Sequence, residues 1–456
     1  MCPTWTTFNE TRLAQWTARD ESSSCNWNMS QAASWRVGLC LKDRGCGAQG
    51  YLLLERVDTY ACDASLNKSF TSNTKLDAYY RKMIGPDAFL TTFTGPQKYV
   101  PRDTIYRGEC GYKIPFQLSN SGAFNVTVIH THTNFSAVDE LHNFYPPVVF
   151  DAVANFQLDV CGGCKEVMAA ELLNATESLA VCDRGAPTQG GYVRIGSGPD
   201  VGNVLEYKRR VLKQKYAWIA FGCRYDQPFE LHYNDTCLTH ANRTVLMMGD
   251  SHIRVTLNHL LNRIEGEQRD LVQSDQPAPE KSVFQGLTLE HGWDPQLKRF
   301  ADRLEITDHL MRVDDLVLSL NHWPFAGLSN NGHWTMGLYR ATVEMLMETL
   351  EGVNNVRLEA GLARLNVVWL GVYSSFVWRT GTRVEKKDWR TPLRLKVAHE
   401  VALDVVQKRD FVKVVDGWGL TAVWGQDSLD ENHFHRLPAT EALVDEILHT
   451  LNICEN

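Results

Sequence analysis

Two short segments carry residue types that together can move an acyl group. The first, Gly249-Asp250-Ser251-His252, follows the apolar run TVLMMG (244–249) and precedes a stretch with helical spacing. A serine in a tight strand-to-helix turn exposes its hydroxyl at the sheet edge. Its own N–H points outward to a developing oxyanion, and the helix N-terminus favours negative charge there. Gly249 lets the backbone pass closely. Serine remains a weak nucleophile without a base, and Asp430-Glu431-Asn432-His433 offers one. Asp and His three residues apart lie about one turn from each other. Asp430 then accepts from Nδ1 of His433 and leaves Nε2 to face the serine. The expected relay is Ser251 as nucleophile, His433 as base and Asp430 as its orienter. His435 competes with His433 as base. The two histidines would also make half of a metal site, but no partner cluster is evident and no metal is expected.

Further groups stand at a third strand end. Asn321-His322-Trp323 follows the run DLVLSL (315–320), and a polar side chain there can donate to an oxyanion; a turn beside a core tryptophan is the alternative. Beyond Gln285, the backbone of Gly286 or Gly292 is a further possible donor. Trp293, Trp323, Trp334 and Trp378 can stack on sugar faces or pack in a core. Cys161-Gly162-Gly163-Cys164 lacks the strand–helix surroundings of a redox motif, and a structural disulfide is expected.

These residues need a scaffold. The runs 244–249, 315–320, NVVWLGV (366–372) and FVKVVDG (411–417) read as buried strands. Between and after them, 253–264, 336–352, 393–409 and 439–451 have helical periodicity. The second helix is expected to end at Gly352, and the third to start with Thr391 as N-cap and Pro392 at the first helical position. Strands alternating with helices imply a parallel sheet covered on both faces, with ligands at the carboxyl ends of its strands. Upstream, FNVTVIHTH (124–132), PPVVFDAV (146–153) and FQLDV (156–160) read as short strands of a small β-sandwich. The expected division is a cysteine-rich loop region over 1–95, an Ig-like β-sandwich over 96–180 and an α/β domain over 181–456.

Composition narrows the class. The 456 residues are 44% hydrophobic and 22% charged, ordinary globular usage, with a net charge of −8 that argues against a nucleic-acid partner. No apolar run is long enough to be a transmembrane segment. Eleven of the 12 cysteines precede residue 238, as in disulfide-stapled proteins of an oxidising compartment. Eight N-x-S/T sites point the same way: Asn9, Asn28, Asn67, Asn125, Asn134, Asn174, Asn234 and Asn242, against roughly 3 expected by chance from composition. The protein is expected in the Golgi lumen or outside the cell as a glycoprotein. Residues 1–20 hold no apolar signal core, so a signal or anchor is expected to be missing from this sequence.

Taken in order, several blocks resemble the PC-esterase family of the SGNH-hydrolase superfamily, which includes trichome-birefringence-like proteins, neurexophilin-and-PC-esterase proteins and the lumenal domain of sialate O-acetyltransferases. Cys182 with GGYVR (190–194), YAWIAFGCRY (216–225), GDSHIR (249–254), HW (322–323) and DENH (430–433) resemble its successive motifs. The segment 97–160 is similar to the Ig-like module of neurexophilin-type members. The resemblance covers about 180–456 and departs at Gly191-Tyr192, where an aromatic pair is usual, and at Asn321, where glycine often stands; the oxyanion donor is left between Asn321 and His322. The resemblance implies an SGNH-hydrolase-like three-layer α/β/α fold that carries acetyl through Ser251 to a glycan hydroxyl, or as an acetylesterase to water. An inactive extracellular binding protein is the third alternative. It implies that His252 and Arg254 shape the site, that no cofactor is bound, and that an acetyl donor, acetyl-CoA among the candidates, is a co-substrate.

Overall fold

The computed structural model describes residues 25–43, 47–58, 84–133, 148–196, 212–225, 242–265, 278–326, 334–375 and 390–453, with Leu205, Lys208 and Arg209, but without the single positions 28, 162, 429, 431 and 436. Asn9, Asn28, Asn67, Asn134, Asn234, Cys2, Cys46, Cys62, Cys237, Cys454 and Trp378 lie outside the described residues. The chain divides into two compact units, one of residues 1–180, 189–201 and 215–224, the other of 181–188, 202–214 and 225–456. No described helix is long and apolar enough to cross a membrane.

The first unit is built from antiparallel strands. They are β1 (Cys25–Asn26), β2 (Trp35–Asp43), β3 (Ala48–Arg56), β4 (Ala88–Thr94), β5 (Gln97–Tyr99), β6 (Ile105–Gly108), β7 (Gly111–Leu118), β8 (Gly122–His132), β9 (Val148–Val160), β10 (Gly190–Arg194) and β11 (Tyr216–Ala220), and among the described residues a helix, α1 (Ala169–Thr176), accompanies them. One sheet has the order β1-β2-β3-β7-β6 and the other β11-β10-β5-β4-β8-β9. Trp35, Leu52, Tyr112 and Phe116 from the first sheet share a core with Phe93, Phe124, Val126 and Leu158 from the second. Along β8 the alternation is direct: Phe124, Val126 and Val128 are fully buried while Asn125 between them is exposed, the period-two signature of a sheet with one wet face.

The sandwich reaches beyond the expected 96–180. β2, β3 and β4 lie in the stretch expected to be loops, and Cys25–Cys40 staples β1 to β2. GGYVR and YAWIA, expected in the α/β domain, form the hairpin β10–β11 of the second sheet. The two strands expected at 146–160 are one continuous strand, β9, which absorbs its irregularity as register shifts against β8. The expected Cys161–Cys164 disulfide is present, and no described cysteine is free.

The second unit holds the sheet β13-β14-β12-β15-β16-β17, made of β12 (Arg243–Gly249), β13 (Lys281–Phe284), β14 (Leu287–Trp293), β15 (Asp315–Leu318), β16 (Asn366–Leu370) and β17 (Val412–Val415). All neighbours are parallel except β13 and β14. Its helices are α2 (Ser251–Glu265), α3 (Arg303–Leu310), α4 (Met336–Glu359), α5 (Pro392–Val406), α6 (Gly417–Thr421) and α7 (Pro438–Leu451). α2 packs with α7, and α4 packs with α3 and α5. The chain leaves β12 toward β14 but later steps from β15 to β16 to β17, so right-handed crossovers send α2 and the α4–α5 pair to opposite faces. Val245 to Met248 are 0–1% exposed, as expected of a strand covered on both sides. Thr391 caps α5 by accepting from Arg394 N, with Pro392 behind it.

Two features differ from the sequence reading. β14 is a parallel strand that was not anticipated. α4 runs through Gly352 to Glu359, although an interior glycine costs about 1 kcal/mol. Buried Val353 offsets that cost, as does Arg357, which donates to the carbonyls of Leu310, Val313 and Ala363.

α2 and α7 are joined by buried ionic contacts. His259 Nδ1 lies 2.7 Å from Glu441, Arg263 donates to Glu441 and Asp445, and Lys208 donates to Asp445 at 2.8 Å. Nearby, Glu446 accepts from Tyr225 and Thr188. Burial pushes the Glu446 carboxyl up to about 7, opposed by those two bonds and reinforced by the charges of Asp445 and Asp416. A carboxyl raised above its unfolded value of about 4.3 favours the fold most at low pH, and that contribution is lost as pH rises through 7. Glu446→Gln removes the slope: its melting temperature relative to wild type is expected to rise between pH 4.5 and 7.5 in differential scanning fluorimetry. Asn125, Asn174 and Asn242 are exposed. Protein secreted from eukaryotic cells is expected to show all three converted to aspartate when deglycosylated enzymatically and mapped by mass spectrometry.

Candidate active site

The parallel strands follow the order second, first, third, fourth, fifth, so the connections reverse direction at β12. Open α/β sheets bind ligands at such a switch point, outside the carboxyl ends of the strands. Ser251 stands there, as the first residue of α2 two positions beyond Gly249. The turn is tight. A Cβ on Gly249 would lie 2.8 Å from both the Ser319 carbonyl oxygen and Ile253 Cγ1, a contact that backbone does not yield to.

The structure brings Ser251, His433 and Asp430 together. Ser251 Oγ donates to His433 Nε2 at 2.7 Å, and His433 Nδ1 donates to Asp430 Oδ2 at 2.5 Å. Because a carboxylate can only accept, Nδ1 carries the proton and Nε2 keeps its lone pair for the serine. Asp430 Oδ1 also accepts from the backbone N–H of His433 at 2.7 Å and of Asn432 at 3.0 Å, the local turn expected of Asp and His three apart. Burial acts to raise the Asp430 carboxyl, but His433 through its hydrogen bond and charge, with the two backbone bonds, holds it far below the usual carboxylate range. Ser251 is 8% exposed. The Asp430 side chain is 33% exposed and that of His433 11%.

Beneath the relay lies a buried polar layer. Asp250, 0% exposed, accepts from His252 N at 2.9 Å and from His322 N at 3.1 Å. It thereby ties the turn after β12 to the loop after β15. Burial pushes its carboxyl above the ordinary range while those two bonds pull it back. His322 Nε2 lies 2.9 Å from the Tyr373 carbonyl oxygen, and its Nδ1 lies 2.9 Å from His252 Nε2. Burial, then Arg390, lowers His322 to about 3; burial, then His322, lowers His252 as well. Both rings are neutral at physiological pH. The Asn432 amide bridges two histidines, 2.6 Å from His322 Nδ1 and 3.4 Å from His433 Nε2, and accepts from Arg390 Nη1.

The expected oxyanion donors are placed unevenly. Asn321 is fully buried, its Oδ1 accepting from Tyr373 N at 3.0 Å and its Nδ2 donating to Ser319 at 3.4 Å. Both nitrogens of His322 serve the layer just described. Gly286 lies at the amino end of β14, the opposite edge of the sheet from Ser251, where its carbonyl accepts from Arg243 N. Gly292 lies within β14 opposite Met248, near the correct edge. Asn432, Arg390 and Tyr373 escaped sequence reasoning: no local pattern marks them, since each contributes through contacts made far along the chain. Asp430, His433 and His435 hold donor atoms within 4.8 Å of one another. His433 already commits both ring nitrogens to the relay, and burial, then the charge of His433, lowers His435 to about 4. Asp250→Ala leaves two buried N–H groups without an acceptor, at about 1–3 kcal/mol each. It is expected to lower the melting temperature and to slow any reaction of Ser251 with an activated acetyl ester, read by fluorimetry and intact mass.

No protein-family model matches the sequence, and none of the curated proteins matches it. Among solved structures, a catalytic mutant of Axe2, an acetylxylan esterase from Geobacillus stearothermophilus, is similar at 10% identity with a TM-score of 0.29, over 46% of this chain and 94% of that one. A second mutant of Axe2, described as an acetyl-xylooligosaccharide esterase, is similar at 12% identity with a TM-score of 0.25, again over 46% and 94% of the two chains.

Proposed function

We propose that this chain is a glycan O-acetyltransferase of the PC-esterase type, working through an acetyl-serine. The observation that carries the reading is the continuous chain of hydrogen bonds from Ser251 through His433 to Asp430. Ser251 Oγ attacks the carbonyl carbon of an acetyl donor, acetyl-CoA being one candidate, while its proton passes to His433 Nε2. Asp430, held ionised, fixes the tautomer of the neutral imidazole and stabilises the imidazolium that forms. The oxyanion forms beside the Ser251 N–H at the start of α2, where the helix dipole favours negative charge. His433 then protonates the departing group. In the second half a sugar hydroxyl gives its proton to His433 and attacks the acetyl carbon; the bond to Ser251 Oγ breaks, and His433 passes the proton back to Oγ.

A carbohydrate acetylesterase with the same relay is the second reading. The exposure of Asp430 favours it, because water that reaches the relay can replace the sugar hydroxyl. The disulfides and the exposed sequons at Asn125, Asn174 and Asn242 support a place in the Golgi lumen or outside the cell.

The test is intact-mass analysis after incubation with p-nitrophenyl acetate. Wild type is expected to gain one acetyl group and Ser251→Ala none; equal labelling of both removes the mechanism. Asp430→Asn is expected to lower turnover by about 10⁴-fold through the wrong imidazole tautomer, measured as release of p-nitrophenolate. Adding glycan hydroxyls to the acetylated enzyme separates transfer from hydrolysis by whether the acetyl group appears on sugar or as acetate.

A further inference from the structure

Trp293 has no assigned part in the relay, yet it ends the strand beside the one that carries Ser251. It pairs with Gly249 in the parallel register of β12 and β14. Trp323 follows β15 on the other side of β12, directly after His322. The two indoles come from the strands that flank β12, and they meet edge to face at the β12 strand end, with ring centroids 6.0 Å apart and planes at 88°. Arg254, one turn beyond Ser251 on α2, places its guanidinium 5.6 Å from the Trp293 ring centre.

Packing does not account for this ring. Trp293 is 43% exposed. Core tryptophans are covered on all sides, as Trp369 at 0% is in β16. Trp293 instead meets Trp323 edge to face and carries the Arg254 guanidinium over one face of its ring, which leaves the other face for a ligand and little rotamer freedom to be lost when one covers it. Trp323 is itself fixed, as it opens a short 3-10 turn that ends at fully buried Phe325. A rigid indole open to solvent beside a nucleophile suits a flat, weakly apolar partner. The C–H faces of a pyranose ring are such a surface, and their polarised hydrogens are drawn to the electron-rich face of an indole.

We infer that Trp293, braced by Trp323 and Arg254, is a stacking platform for one pyranose ring of the carbohydrate acceptor, set beside the Ser251 centre. The inference rests on the acyl-transfer reading for the word acceptor, while binding at the platform stands or falls by itself. The platform gives the specificity of the site a physical form: the ring is gripped by its apolar face, and the hydroxyl projecting toward Ser251 is the one that reacts.

Binding is read by isothermal titration calorimetry on full-length Ser251→Ala protein, which cannot turn over, with cellohexaose, xylohexaose, mannohexaose, chitohexaose and sialyllactose as separate probes. At least one is expected to bind. Trp293→Ala is expected to weaken that binding by about tenfold, the loss of roughly one stacked ring, and Trp293→Phe by about threefold or less. Both variants are checked by near-ultraviolet circular dichroism, and Trp293→Phe carries the test where Trp293→Ala unfolds. Binding unchanged in folded Trp293→Ala overturns the platform, as does the absence of binding by all five probes. Acetylation of wild-type Ser251 is read separately. Trp293-dependent binding without acetylation keeps the platform and removes the acyl-transfer reading, whereas acetylation without Trp293-dependent binding removes the platform alone.

Discussion

Three contacts share one offset along the chain: Ser251 with His433, in the loop before α7, and His259 with Glu441 and Arg263 with Asp445, between α2 and α7, are each separated by 182 residues. A constant offset means that the two segments run side by side in the same direction, in register. Ser251 opens α2 and His433 lies in the loop that leads into α7, while the buried ion pairs stand two and three turns further down α2. The ion pairs fix α7 against α2, and the contacts of His433 with Ser428 and Asp430 fix the base in the loop before it. Buried ion pairs add little net stability, because desolvation consumes most of the Coulomb gain. Their worth here is register: a slide of α7 by one turn would part Arg263 from Asp445 and His259 from Glu441 together.

The second constraint is Asp250. By accepting from the N–H groups of both His252 and His322, one carboxylate fixes two strand-end loops against each other. His322 in turn reaches Tyr373 beyond β16 and Asn432 beside the base. The ends of β12, β15 and β16 and the loop before α7 are thus joined in a single buried layer. Neutral rings suit this layer, since burial disfavours a charged imidazole and a neutral one both donates and accepts. The layer leaves the Ser251 hydroxyl with His433 as its partner, which is the arrangement acyl transfer requires.

Much of this was legible in the residues. The apolar runs before Ser251 and Asn321, and the cap Thr391-Pro392, announce strands and a helix start because their signals lie within one or two turns of chain. Asp430 and His433 are likewise a local pair, and their hydrogen bond follows from spacing. β14 was not legible: in LTLEHGW only Leu287 and Leu289 are deeply buried apolar side chains, too short a pattern to separate from a loop. The reach of the β-sandwich was hidden for a different reason. β10 pairs with β5 across about ninety residues and carries β11 on its other side, and nothing in GGYVR specifies its partner.

What the sequence by itself determined was the set of local devices: a serine at a strand-to-helix turn, an Asp–His turn, sequons and cysteines suited to an oxidising compartment, and helices with buried stripes. What only the tertiary structure decided was which of these devices meet. Ser251 and His433 are partners because the loop before α7 folds over the carboxyl end of β12; Trp293 and Trp323 are partners because their strands flank β12; Asn432 and Arg390 belong to the site through their contacts with the buried layer. Local propensity is read from neighbours in the chain, whereas contacts across 182 residues arise only when burial of the whole sheet forces distant segments to share one edge.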